Sequence, residues 1–253
     1  MLIYPAIDIY QGNCVRLRQG DFASQNVYSD SPSAVAQSFR DAGLSSLHVV
    51  DLEGAKAGHL INWEALGSIL EIASLQVQVG GGIRTRQDIC RLFDAGVARV
   101  VIGSLAVESP HIIQEWIREF GTERFVIAVD VRDGAVAHKG WLERARLTPS
   151  SFVDAMARAG AVSFLCTDIN LDGMLEGPNL ELYQSLVTEF PSIQLIASGG
   201  VSQMSDIENL AGVGCYAAVV GKALYEGRVT TNQLSHFARM QQSHVDKADH
   251  SLS

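Results

Sequence analysis

The 253-residue chain is 47% apolar, enough to bury one large core, and a barrel of this length is ordinarily a single domain. Its formal charge of −9 argues against nucleic acid as a partner and leaves any anionic substrate to be held by local donors rather than by net attraction. Cys14, Cys90, Cys166 and Cys215 are scattered without a Cys-x-x-Cys pair and the histidines show no ligand pair at helical spacing, so reduced core thiols and no metal are expected.

The opening Met1-Leu2-Ile3-Tyr4-Pro5 lacks the basic and long apolar regions of a signal peptide, and no apolar run approaches the ~18 residues of a membrane span, which predicts a cytoplasmic protein without a membrane partner. Leu2 to Ile7 reads as a buried strand closed by Asp8, with Asn13 to Arg18 as a short alternating extension. Ser31-Pro32 starts the first helix, serine as cap and proline at the first helical position. A second strand, Ser46 to Asp51, leads into a loop, Leu52 to Lys56, and a helix near Asn62 to Ala73. Val77-Gln78-Val79 then runs into Gly80-Gly81-Gly82-Ile83-Arg84 and a helix from about Arg86 to Ala95. The fourth strand, Arg99 to Ile102, ends in Gly103-Ser104, and Ser109-Pro110 starts its helix.

Arg124 to Asp130 is the fifth strand, again closed by aspartate, followed by a loop carrying Trp141 and a helix start at Thr148-Pro149. The sixth, Ala161 to Thr167, is followed by Asp168 and the loop with Asp172-Gly173. The seventh strand meets Gly199-Gly200, and the eighth, Tyr216 to Val220, meets Gly221-Lys222. A last helix is predicted from about Thr230 to Met240; residues 241–253 read as a polar, disordered tail. Continuous apolar strands alternating with helices of this length indicate a parallel sheet covered on both faces, and eight such units give a single-domain (β/α)8 TIM barrel over residues 1–240.

The chain repeats itself. Gly81 and Gly199, Asp88 and Asp206, Gly96 and Gly214, and Gly103 and Gly221 all pair at one offset, 199 − 81 = 118, without a gap. Asp51 and Asp168 match at 168 − 51 = 117, and Ala6-Ile7-Asp8-Ile9 matches Ala128-Val129-Asp130-Val131 at 128 − 6 = 122. Two similar half-barrels are implied. A single Gly-Gly after a strand is most simply a tight turn needing positive φ, but adjacent glycines before a helix start also let backbone N–H groups approach a phosphate, and this device occurs twice. One cradle is Gly81, Gly82, Gly103 and Ser104; the other is Gly199, Gly200, Gly221 and Lys222.

Strand-end Asp51 and Asp168 fit either structural support or the site, since a lone aspartate there commonly caps a turn. Asp8 and Asp130 occupy matching positions of opposite halves and can face one bound molecule from two sides, as proton removal and proton donation require. Trp141 suits stacking on a planar ligand, Lys222 at a helix start invites an anion, and Arg84 is either an anion ligand or a solvated charge. Two cradles with a carboxylate from each half between them call for an elongated small molecule bearing a phosphate at both ends. Without redox groups, metal ligands or a nucleophile, the expected reaction is a proton-transfer isomerisation that needs no cofactor.

At these residues the chain resembles a known family. Pro5-Ala6-Ile7-Asp8, Arg16-Leu17-x-Gln19-Gly20, Val50-Asp51-Leu52-Glu53-Gly54-Ala55, Gln78 to Arg84, Asp168 with Asp172-Gly173, and Ser198-Gly199-Gly200-Val201 together are similar to the histidine-biosynthesis isomerases acting on ProFAR, a phosphoribosylformimino-aminoimidazole carboxamide ribonucleotide. The resemblance implies an Amadori rearrangement of an aminoaldose to an aminoketose, with Asp8 as general base, Asp130 as general acid, and Thr167 and Asp172 touching substrate at the mouth. Leu171 and Met174 stand where that family carries a basic residue and a threonine. A monomer is expected. The sister cyclase barrel, which uses the isomerase's product with ammonia, shares the halves and both aspartates, but Ala6 stands where it has cysteine; a dual-substrate isomerase also acting on phosphoribosylanthranilate, and a noncatalytic phosphosugar-binding barrel, are the other readings.

Overall fold

The computed structural model describes residues 1–18 and 21–250, with side chains described for residues 1–17 and 24–241. The strands are β1 (Leu2–Tyr10), β2 (Asn13–Arg18), β3 (Asp21–Ser29), β4 (Ser46–Asp51), β5 (Gln76–Gly80), β6 (Arg99–Ile102), β7 (Phe125–Arg132), β8 (Ala135–His138), β9 (Glu143–Arg144), β10 (Ser163–Asp168), β11 (Gln194–Ser198) and β12 (Ala217–Val220). In the order β1, β4, β5, β6, β7, β10, β11, β12, neighbours pair in parallel, and β12 returns to β1 with Leu2 opposite Ala217, so the eight-strand barrel is closed. Closure leaves no bare edge among these strands and puts all their C-terminal ends at one mouth.

The helices are α1 (Pro32–Asp41), α2 (Leu52–Ala57), α3 (Trp63–Leu70), α4 (Arg86–Asp94), α5 (Ser104–Glu108), α6 (Pro110–Phe120), α7 (Pro149–Arg158), α8 (Leu180–Glu189), α9 (Met204–Gly212), α10 (Lys222–Tyr225) and α11 (Thr231–His250). Two of the three Ser/Thr-Pro helix starts are capped, Ser31 Oγ accepting from Ala34 N and Thr148 Oγ1 from Ser151 N, while Ser109 makes no side-chain cap. The repeated Asp88 and Asp206 do one structural job twice. Asp88 Oδ2 accepts from the N–H groups of Arg84 and Thr85 ahead of α4, and Asp206 Oδ2 from those of Ser202 and Gln203 ahead of α9. Each closes a helix start for about 1 kcal/mol.

Two apolar clusters arise from the alternation of side chains along the strands. The larger, with Ile7, Ile9, Leu47, Val79, Ile127 and Phe164, fills the layer between sheet and helices. The smaller, with Tyr4, Ala6, Val101, Val126, Leu165, Ile196, Ala217 and Val219, fills the barrel interior. Among the described residues no helix is long and apolar enough to cross a membrane.

The structure departs from the sequence reading in several places. Leu52 to Lys56, expected as loop, is the helix α2: Asp51 Oδ1 accepts from Gly54 N and Gly58 ends it at φ 79°. The predicted extension β2 is real but turns back into β3, and β7 runs on to Arg132 and folds back as β8. Short α5 falls directly after β6, where no helix was expected before Ser109, whereas α10 begins after β12 at Lys222, the helix start that the sequence suggests. The last helix runs past Met240 to His250; the predicted disorder of the tail falls on residues whose side chains, and at 251–253 whose backbone, lie outside the described residues, as do Gln19 and Gly20.

Candidate functional site

At the C-terminal mouth a cavity of about 280 Å³ is lined by Asp8, Arg16, His48, Gly81, Gly82, Arg84, Gly103, Ser104, Asp130, Trp141, Thr167, Asp172, Gly199, Gly200, Gly221 and Lys222 among others. Of the residues expected to act on or bind a substrate, all line this mouth except Asp168.

Asp168 and its repeat partner Asp51 are turned into the loops. Asp51 Oδ2 accepts from Ile61 N at 2.6 Å and Asn62 N at 2.9 Å, and Oδ1 from Asn62 Nδ2 at 2.7 Å. Asp168 Oδ1 accepts from Asn170 N at 3.0 Å and Oδ2 from Asn179 Nδ2 at 2.7 Å. Carboxylates so occupied fix the loops that come after the second strand of each half. A substrate role for Asp168 finds no geometry here; its side chain is committed before any ligand arrives.

The glycine pairs are demanded first by the backbone. Gly81 and Gly82 lie at φ 107° and 78°, Gly199 and Gly200 at 96° and 83°. A Cβ on Gly81 would stand 2.2 Å from Asp51 O, and one on Gly199 2.8 Å from Asp168 O; on Gly82 and Gly200 the obstacles are Gly54 O at 2.4 Å and Gly177 O at 2.1 Å. These turns press against the loops that Asp51 and Asp168 hold. The paired short helices α5 and α10 begin at Ser104 and Lys222, so their first N–H groups, which have no partner within the helix, face the mouth beside the glycine turns. Ser104 Oγ accepts from Lys139 N at 2.8 Å, and Lys222 Nζ donates to Gly173 O at 2.8 Å, tying the second cradle to the loop of Asp172. Arg84 is exposed at the rim, its Nε 3.1 Å from where a Cβ on Gly58 would be.

The carboxyl groups differ in surroundings. Asp8 Oδ2 accepts from Arg16 Nη1 at 2.7 Å, while Arg16 Nη2 donates to Ala6 O at 2.5 Å. Burial raises the Asp8 pKa, and the charge and hydrogen bond of Arg16 work against that rise. Asp130 has no ion-pair partner among the described residues. Burial pushes it up to about 6, although side-chain hydrogen bonds from Trp141 and Thr167 favour its charged form. Trp141, expected to stack on a ligand, thus holds Asp130 from a turn where its own φ is 69°. Asp172 also reaches about 6, lifted by burial and then by the charge of Asp8, with Arg16 opposing.

Arg16 is one residue of this site whose role the sequence did not reveal. It comes from β2, which the hairpin lays antiparallel to β1 with Val15 opposite Asp8. Its guanidinium lies 5.3 Å from the centre of the Tyr225 ring, and a Cβ on Gly221 would come within 2.6 Å of it. A single cation within the otherwise apolar alternation Cys14-Val15-Arg16-Leu17, close after a strand that ends in aspartate, was the available signal.

Residues 2–230 match the family described as histidine biosynthesis protein. A protein of Shouchella clausii is 48% identical over 231 residues, 91% of this chain and 95% of its own. One of Phocaeicola vulgatus is 43% identical over 235 residues, 93% of this chain and 98% of its own. Both carry the name 1-(5-phosphoribosyl)-5-((5-phosphoribosylamino)methylideneamino) imidazole-4-carboxamide isomerase.

Proposed function

The chain belongs to the histidine biosynthesis protein family, and from that membership and the two-cradle mouth we propose how it works as an isomerase of histidine biosynthesis. Its substrate is the bisphosphorylated aminoaldose ProFAR, converted to the aminoketose by an Amadori rearrangement. One phosphate sits at Gly81, Gly82, Gly103 and Ser104, the other at Gly199, Gly200, Gly221 and Lys222, and the sugar to be rearranged lies between Asp8 and Asp130. The protonated Asp130 gives its proton to the ribose ring oxygen, the ring opens, and a Schiff base forms. Asp8, which Arg16 favours in its ionised form, then takes the C2 proton, and the resulting enolamine gains a proton at C1 and gives up its C2 hydroxyl proton to become the ketone. Each assisted transfer is worth about 10²–10⁴-fold.

The observation that carries this reading is the unequal pairing of two matched aspartates: Asp8 is bonded to a guanidinium and Asp130, buried without one, is held up at about 6. A second reading gives the acid's part to Asp172, which is lifted equally to about 6 and faces the same mouth. Both cradles and all three carboxyls come from one chain, which supports a monomer, and a biosynthetic role on a phosphorylated metabolite supports a cytoplasmic location.

The test is turnover of ProFAR by the purified chain, with and without ammonia. Ketose formation that needs no ammonia is expected, together with a loss of two or more orders of magnitude in kcat and little change in KM for Asp8→Asn and Asp130→Asn. A requirement for the ketose and ammonia would make the chain a cyclase, and binding without turnover would leave a noncatalytic barrel. Full activity in Asp130→Asn with loss in Asp172→Asn would move the acid to Asp172.

A further inference from the structure

The repeat breaks down inside the barrel. In the first half one inward row, in register across β4, β5 and β6, is His48, Gln78 and Arg99. The equivalent row across β10, β11 and β12 is Leu165, Ile196 and Ala217. Both rows continue from an alanine, Ala6 beside His48 and Ala128 beside Leu165. Polar side chains at sites where aliphatic ones fit cost desolvation unless each is hydrogen-bonded.

These three are bonded to one another, in a direction that chemistry forces. Arg99 Nη2 donates to Gln78 Oε1 at 2.7 Å, and Gln78 Nε2 lies 2.9 Å from His48 Nδ1. Arg99 also donates to the Tyr4 hydroxyl and lies 5.2 Å from the centre of that ring. A guanidinium has no acceptor, so the amide oxygen of Gln78 must face it and the NH₂ must face the imidazole. An NH₂ only donates, so Nδ1 accepts and the ring proton sits on Nε2. His48 Nε2 has no partner among the described residues, and the ring lines the mouth. Burial, then the charges of Arg16 and Arg99, depress this histidine to about 3, so it stays neutral in the physiological range.

We propose that Arg99 and Gln78 are positioning residues that hold His48 as a neutral Nε2–H donor, and that this N–H contacts a substrate oxygen on the Asp8 side of the mouth. The identity of that substrate rests on the isomerase reading above. The oxygen in question is the C2 hydroxyl oxygen. Asp8 removes the C2 proton to give the enolamine and returns it to C1; the hydroxyl passes its own proton to the Asp130 carboxylate emptied at ring opening, and the oxygen gains charge as that proton leaves and the ketone forms. A fixed donor there is strongest in the transition state, and His48 gives up no proton in the step. The second half, where Leu165 stands in place of His48, offers no such donor, so the two ends of a nearly symmetric mouth are distinguishable to the substrate.

Nitrogen NMR of the ¹⁵N-histidine-labelled protein should find His48 in the neutral Nε2–H form from pH 5 to 8. Gln78→Glu presents a carboxylate, which only accepts, and should move the ring proton to Nδ1. With ProFAR, Gln78→Glu and His48→Leu should each lose kcat by about 10²–10³-fold with KM changed only a few-fold, as for removal of one oxyanion donor. His48→Gln, whose side-chain NH₂ reaches near the Nε2 position, should recover part of that loss. An Nδ1–H or doubly protonated His48 in the wild type, or wild-type kcat in His48→Leu, would overturn the proposal. Should His48→Leu fail to fold, the proton shift and the kcat of Gln78→Glu decide alone. Absence of ProFAR turnover by the wild type would sink the isomerase reading, while the NMR would still judge the relay.

Discussion

Asp130 sits at matching height to Asp8 and burial raises both carboxyls, but at Asp8 the Arg16 guanidinium opposes the rise and at Asp130 no guanidinium does. A carboxyl held at about 6 instead of its ordinary 3.8 binds its proton more tightly folded than unfolded. Stability therefore falls as pH rises between those two values, and the penalty persists in full above them, on the order of 3 kcal/mol. Asp130→Asn should remove it: at pH 8 the variant should melt several degrees higher than the wild type, at pH 4 the two should coincide, and kcat should fall by 10²-fold or more. A lower melting temperature at pH 8 would show that the ionised carboxylate is not the strained species. Asp8 and Asp130 were legible in the sequence because a strand-end carboxyl repeated in each half is a local signal. Arg16 and His48 were not. Their roles depend on which way a hairpin returns and which face of a strand looks inward, and both are decided only when the barrel closes.

The strand-to-helix turns show how an element can carry a motif for two reasons. The glycine pairs suggest phosphate binding by composition, yet Gly200 is already required by its φ of 83° and by Gly177 O, which a Cβ would approach to 2.1 Å. Gly96, at φ 97° with open space around it, has only the first requirement. Gly96→Ala should cost about 1–2 kcal/mol and a few degrees of melting temperature. Gly200→Ala should cost at least twice as much and also weaken anion binding, because the turn must move to relieve the contact; thermal melts of the two variants side by side check this, and equal losses would refute it. The eight barrel strands were readable from apolar runs and their punctuation. The helix α2 and the short α5 were not: α2 is set by Asp51 capping Gly54, and α5 begins where Ser104 Oγ accepts from Lys139 N of a distant loop.

At the scale of the molecule, the offset near 118 becomes two halves closed on each other through the β12 to β1 and β6 to β7 pairings. Two cradles built from one device should bind two anions. Titration with inorganic phosphate should give two sites per chain, and Gly200→Ala should leave one; a single site in the wild type would contradict the bisphosphate reading.

The crowding of Asp8, Asp130 and Asp172 against Arg16 and Lys222 has a consequence for the solvent as well as the ligand. Two of these carboxyls are poised near 6, Asp130 through burial and Asp172 through burial and the charges around it. A ligand arriving with phosphates adds negative charge to that cluster and raises both further, so near neutrality the complex must draw protons from the buffer as it forms. Affinity then weakens as the medium becomes more alkaline, and the heat of association depends on which buffer gives up the protons. On the bisphosphate reading proposed above, a protein of net charge −9 would accept its guest partly by neutralising itself.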